Sequence, residues 1–160
     1  LTGLLNHTRI KEQLSHELAR AERKDSSLAF AMIDIDHFKS VNDTYGHHVG
    51  DRVIKNLARV LQQRLRRSDY IGRYGGEEFA VVLPDADAEF AWRVLDEIRE
   101  NFAAIRQHSP RGDFNVSFSG GIATFPDCTD ATELALEADK ALYVAKDRGR
   151  NCIVRAFSDE

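Results

Sequence analysis

The residues in this chain best able to do chemistry are two pairs of acids, each at the end of an apolar run. Asp34 and Asp36 close the run that begins at Leu28, and Glu77 and Glu78 stand directly before the run Phe79 to Leu83. Charges beside buried strands are poorly solvated, so a partner or a bound cation usually neutralises them. Successive strand side chains alternate faces, which puts Asp34 and Asp36 on one face at the strand end. If the two strands are sheet neighbours, Asp34 converges with Glu77 or Glu78 on a hard cation bound through oxygen, such as Mg²⁺. Magnesium held by few protein carboxylates fills its shell with phosphate oxygens, so a phosphorylated substrate is expected. Lys39, just past the first pair of acids, then reads as a phosphate contact rather than a solvated cation.

The elements that must position these groups follow from periodicity. Gly75-Gly76 separates two strand-forming runs and predicts a hairpin closed by a tight two-residue turn, because adjacent glycines accept positive φ. Such glycines also let a phosphate approach the backbone N–H groups. The plain alternative is a surface hairpin with its acids in water. Ile10, Leu14, Leu18 and Ala21 recur at helical spacing, and Phe38 to Tyr45 forms a short helix or loop. A further helix carries Val49, Val53, Leu57, Val60, Leu61 and Leu65, with Asp51 at its start, where position alone makes Asp51 a capping or dipole-favoured carboxylate. Arg64, Arg66 and Arg67 close that helix at its negative end. Another helix is expected from about Asp87 to Ile105, followed by the turn cluster Ser109 to Asp113. Val116, Phe118, Gly120 and Ile122 alternate as a strand, and Gly120-Gly121 marks a close backbone approach. Asp130 and Glu133 have capping-box spacing ahead of the stripe Leu134, Ala138, Ala141, Leu142 and Ala145, with Gly149 as the stop and Cys152 to Phe157 as an edge strand. Helices and strands do not alternate strictly, which favours an α+β fold with a central, largely antiparallel sheet and packed helices.

Composition sets outer bounds. The 160 residues suit one domain, and 42% hydrophobic with 30% charged residues is ordinary for a globular protein. A formal charge of −4 argues against binding a nucleic-acid polymer, which needs a basic face, but permits a nucleotide in a small site. Cys128 and Cys152 lack the spacing of a zinc or redox pair and read as reduced thiols in a cytoplasmic setting. The adjacent His47-His48 has no third ligand to make a metal centre. No apolar run approaches the length of a membrane span, and no signal-peptide pattern opens the chain. The chain starts at Leu1 without methionine, from which a domain excised from a longer protein is expected, with sensory or membrane-anchoring segments upstream.

Five stretches in order and spacing are distinctive: Leu1 to Asn6, Asp34 to Asp43, Gly46 to Asp51, Gly75 to Phe79, and Lys146 to Asn151. Together they resemble the GGDEF family of diguanylate cyclases, here in a Gly-Gly-Glu-Glu-Phe variant. The resemblance implies a palm-like, ferredoxin-related nucleotidyl cyclase architecture and the condensation of two GTP into cyclic di-GMP, with release of pyrophosphate, across a homodimer. It implies Asp34, Glu77 and the carbonyl of Ile35 as ligands of Mg²⁺ or Mn²⁺, with Gly75, Gly76, Glu77 and Glu78 as the catalytic loop. Substrate contacts fall to Phe38 and Lys39, to Asn42 and Asp51 on the guanine base, and to Lys146 and Arg150 on the triphosphate. Arg66-Arg67-Ser68-Asp69 has the form of the family's product-inhibition site, with Arg66 and Asp69 as its binding pair. Glu97 stands where some members carry a second arginine for that site. The alternatives are a non-catalytic domain that binds cyclic di-GMP, a GTP-binding regulatory module, or a protein-interaction domain.

Overall fold

The computed structural model describes residues 4–157, so Leu1, Thr2 and Gly3 of the opening motif lie outside the described residues. The chain runs α1 (His7–Lys24), β1 (Leu28–Ile35), α2 (Phe38–Tyr45), α3 (His47–Arg64), β2 (Tyr70–Arg73), β3 (Glu78–Pro84), α4 (Ala88–Ala104), β4 (Phe118–Phe125), α5 (Ala131–Asp147) and β5 (Ile153–Arg155). The strands form one sheet in the order β2-β3-β1-β4-β5. Pairing is antiparallel except between β4 and β5. The first four strands with α3 and α4 trace the β-α-β-β-α-β path of ferredoxin-like folds, so the chain is α+β as the order of elements predicts.

β1 sits at the centre because both of its faces are apolar. Ala29, Ala31, Ile33 and Ile35 point into a core shared with Val53, Leu57 and Leu61 of α3 and Leu95, Ile98 and Phe102 of α4. Leu28, Phe30 and Met32 point the other way, against Ile10, Leu14 and Leu18 of α1 and Leu134, Ala138 and Leu142 of α5. The close approach expected at Gly120-Gly121 is severe at Gly121. A Cβ there would strike the backbone of α5 at Ala138 and Leu142, so the absent side chain lets that helix lie directly on the sheet.

Helix ends follow the predicted chemistry in part. Asp87 caps α4 through the Phe90 N–H at 2.8 Å, and Asp130 caps α5 through the Glu133 N–H at 2.7 Å. The return bond of Glu133 goes to the Thr129 N–H, 2.8 Å away, rather than to the cap residue itself. Asp51 is no cap. Gly46, at φ +94°, precedes α3, and the helix begins at His47, which puts Asp51 in the second turn. The last strand is shorter than Cys152 to Phe157 and spans Ile153–Arg155.

Candidate active site

The acids meet because β1 and β3 are neighbours in register, with Asp34 directly opposite Glu78. The hairpin before Glu78 is wider than the expected two-residue turn. β2 stops at Arg73, β3 starts at Glu78, and residues 74–77 form the connection. The Tyr74 N–H donates to the Glu78 carbonyl at 2.8 Å, and neither Gly75 nor Gly76 adopts positive φ. Arg73 stabilises the loop instead, its guanidinium donating to the Gly76 carbonyl at 2.6 Å. A Cβ at position 75 would lie 2.7 Å from Glu78 Oε1, so a larger residue there would displace that carboxylate. The Ile35 N–H donates to the Glu77 carbonyl at 3.3 Å, tying the loop to the end of β1.

Lys146, from the last turn of α5, reaches across to Asp34 with Nζ 2.6 Å from Oδ2. Burial pushes the Asp34 carboxyl above its ordinary value; the hydrogen bond and charge of Lys146 partly offset this, while Glu77 and Asp36 add to it. Glu78 is also raised, by burial first and then by the Asp34 charge. A cluster of this kind is short of positive charge, as Lys146 faces Asp34 and Glu78 together with the neighbouring Glu77, Asp36 and Asp139. Among the described residues no three His, Cys, Asp or Glu side chains form a group able to hold a metal. Two carboxylates and one carbonyl, with phosphate oxygens filling the other positions, remain a donor set that fits a hard divalent cation.

β1 runs into α2, which carries Phe38, Lys39 and Asn42. Lys39 is exposed, and Phe38 is half-buried against the core. Asn42 turns toward α3, where its Oδ1 is buried with no hydrogen-bond partner. The amide fits only because residue 50 is glycine: a Cβ there would collide with Asn42 Oδ1 and lie 3.2 Å from Phe38 Cζ. Gly50 was missed from sequence, although a glycine inside a helix is itself a signal of close approach. Asp51 follows it, exposed on the same helix. Arg150 follows α5 at φ +66° and is exposed.

Asp36 goes elsewhere. It lies past the end of β1, is 5% exposed, and accepts from Ser117 Oγ and Ser119 Oγ at 2.6 Å each and from the Asn151 N–H at 3.0 Å. Its charge is met by three donors, so it does not join Asp34 as a free acid.

Arg66 and Asp69 form a separate group. Arg66 donates to Asp69 Oδ1 at 2.9 Å and to the Pro84 carbonyl at 2.8 Å, and it lies 5.0 Å from the Phe90 ring centroid. Pro84 pairs with Leu28 at the opposite end of β1 from Asp34, roughly 20 Å from the acids at strand rise. Glu97 forms an ion pair with Arg64 at 2.7 Å.

The sequence profile of the family described as "Diguanylate cyclase, GGDEF domain" matches residues 1–152. The chain belongs to that family. It is 43% identical over 152 residues to the diguanylate cyclase DgcP of Pseudomonas aeruginosa, covering 94% of this chain and 22% of that protein. The chain therefore spans about a fifth of that relative's length. Among solved structures it superposes on the GGDEF domain of DgcB from Caulobacter crescentus in complex with c-di-GMP (TM-score 0.92, 34% identity, 97% of this chain and 90% of that one). It is also similar to the active GGEEF domain of a diguanylate cyclase from Vibrio cholerae (TM-score 0.91, 31% identity, 98% of this chain and 99% of that one).

Proposed function

We propose that this domain condenses two GTP into cyclic di-GMP and pyrophosphate, as the catalytic domain of a longer, multidomain diguanylate cyclase. The observation that carries the reading is the register of Asp34 against Glu78 beside Glu77, an acid cluster answered among the described residues by Lys146, which suits a cation with a polyphosphate. The unpartnered, buried Asn42 Oδ1 supports it as well, since guanine offers N–H donors to such an oxygen.

In this reading Asn42 and Asp51 accept from the guanine edge, Phe38 lines the base site, and Lys39, Lys146 and Arg150 hold the triphosphate. Asp34, Glu77 and the Ile35 carbonyl would hold Mg²⁺ or Mn²⁺, which supplies charge neutralisation and a lower pKa for the attacking hydroxyl. Gly75 and Gly76 leave the loop backbone open to phosphate oxygens. Glu78, with its raised affinity for a proton, accepts the proton of the 3′-hydroxyl. The 3′-oxygen forms a bond to the α-phosphorus of the second GTP, and the bond from that phosphorus to the bridging oxygen breaks to release pyrophosphate. The same exchange in the opposite sense closes the ring.

The product is two-fold symmetric, so two loaded sites face each other in an isologous homodimer. Arg66 and Asp69 form the surface for inhibitory cyclic di-GMP, with Glu97 in place of a second arginine. No described helix is long and apolar enough to cross a membrane. We place the domain in the cytoplasm, where GTP is available, with any anchor or sensor in other parts of the parent protein. Incubating the domain with GTP and Mg²⁺ over a wide protein-concentration range tests the reading. Cyclic di-GMP should form at a rate that rises faster than linearly with protein. Absence of product even from an artificially dimerised form would overturn it.

A further inference from the structure

Asp36 and the turn after α5 form a device that the mechanism above does not use. Gly149, Arg150 and Asn151 take φ of +106°, +66° and +51°, three successive left-handed residues of which two are not glycine. L-residues avoid that region unless their surroundings hold them there. The Arg150 N–H donates to the Ala145 carbonyl at 3.0 Å, the Asn151 N–H divides between Asp36 Oδ2 at 3.0 Å and Ser119 Oγ at 3.1 Å, and Arg99 grips the Asn151 side chain at 2.9 Å. Asp36 itself is fixed by its N–H to the Ser117 carbonyl at 2.9 Å and by both serine hydroxyls. One carboxylate, two residues beyond Asp34, thus closes the end of β1 onto the turn that presents Arg150. Among the described residues the Arg150 side chain has no partner of its own, so the turn alone aims it.

We propose that Asp36 is a positioning residue: a buried latch that holds the 149–151 turn and so sets the place of the Arg150 guanidinium relative to Asp34 for binding the triphosphate. This rests on the cyclase reading for the ligand, though the latch itself does not. Ser117 and Ser119 belong to the same device, as donors that keep Asp36 satisfied while it is buried. Its effect falls on nucleotide affinity and KM, with a smaller effect on kcat, because Asp36 touches no reacting atom.

The test combines binding of a non-hydrolysable GTP analogue by calorimetry with amide exchange of Asn151 by NMR. The proteins are the parent chain, Arg150→Ala, Asp36→Asn, the pair Ser117→Ala with Ser119→Ala, and Asp36→Asn combined with Arg150→Ala. Loss of a charge-assisted contact predicts a fall in affinity of about tenfold or more for Arg150→Ala. Asp36→Asn should match it within a few-fold, and the combined variant should lose no more than Arg150→Ala alone. Exchange of the Asn151 amide should quicken in Asp36→Asn and in the double-serine variant, while amides within β1 and β3 keep their protection. Multiplying losses in the combined variant, or unchanged Asn151 exchange, would overturn the proposal. If Asp36→Asn fails to fold, the double-serine variant gives the same two readings. A parent chain that binds no GTP analogue removes the cyclase reading and the proposed role in triphosphate binding, whereas Asn151 exchange still decides whether the latch exists.

Discussion

Replacing Gly50 by alanine tests the proposed guanine site without touching a residue assigned to bind the base. The new Cβ collides with Asn42 Oδ1 and lies 3.2 Å from Phe38 Cζ, so the Asn42 amide must rotate out of its slot between α2 and α3. Two stability effects oppose each other. Alanine inside a helix is favoured over glycine by about 1 kcal/mol, and overpacking costs about 1–3 kcal/mol. The fold should therefore lose between about 0 and 2 kcal/mol, and the chain stays folded. Recognition suffers more, because the displaced amide no longer meets the base. One lost hydrogen bond of about 1–1.5 kcal/mol is roughly a tenfold loss in affinity for GTP. ATP, which lacks the guanine donors, should be affected little, so selectivity falls with affinity. The assay is nucleotide competition by calorimetry beside urea unfolding of Gly50→Ala, Asn42→Ala and the double variant. If Gly50 acts only through Asn42, the double variant is no worse than Asn42→Ala. Full GTP affinity and selectivity in Gly50→Ala would refute the assignment of Asn42 to the base.

Three other outcomes follow from the same geometry. Gly121→Ala drives a Cβ into the backbone of α5, which cannot yield as a side chain can, so a loss of about 2–4 kcal/mol is expected in urea unfolding, well beyond that of Gly50→Ala. Glu78→Gln should raise the melting temperature at pH 7 while abolishing turnover. The folded Glu78 binds its proton more tightly than the unfolded one, so its ionised form destabilises the fold above the raised pKa, and the gain should vanish as pH falls below the ordinary value of 4.5. A gain that persists at pH 3 would refute the electrostatic cause. Arg66→Ala should weaken product inhibition and leave the initial rate unchanged, since its group lies at the far end of β3 from the acids. It should also lower stability, because Asp69, whose side chain is 2% exposed, loses its cation. Inhibition curves identical to those of the parent would exclude the site.

The sheet was legible because burial writes itself into composition. The runs from Leu28 and from Phe79 are apolar on both faces, as central strands must be, and their acids sit at the ends where pairing brings them level. Turn geometry was less legible. Gly75-Gly76 suggests a primed turn, yet the ladder of β2 and β3 closes at Arg73 and Phe79, and the Arg73 side chain supplies bonds that a shorter turn would have made through the backbone. The start of α3 was displaced for a similar reason: Gly46 turns the chain at φ +94°, and the helix begins before any residue with a capping side chain.

What the sequence concealed is what each polar group faces across the chain. Alternation puts Asp34 and Asp36 on one face, but alternation holds only while the strand lasts, and β1 ends at Ile35. Past that point Asp36 is directed by Ser117, Ser119 and Asn151, which are 81, 83 and 115 residues away. Asp34, still in the ladder, meets Lys146 at a separation of 112 residues. Two acids two positions apart thus do opposite things: one is nearly saturated with hydrogen-bond donors and holds backbone, and the other is left with a single lysine among like charges. Spacing alone treats the pair as equivalent donors for a cation. In the proposed reading that capacity falls to Asp34, while Asp36 holds the turn beside it, which is why substituting either acid should damage nucleotide binding through a different measurable quantity.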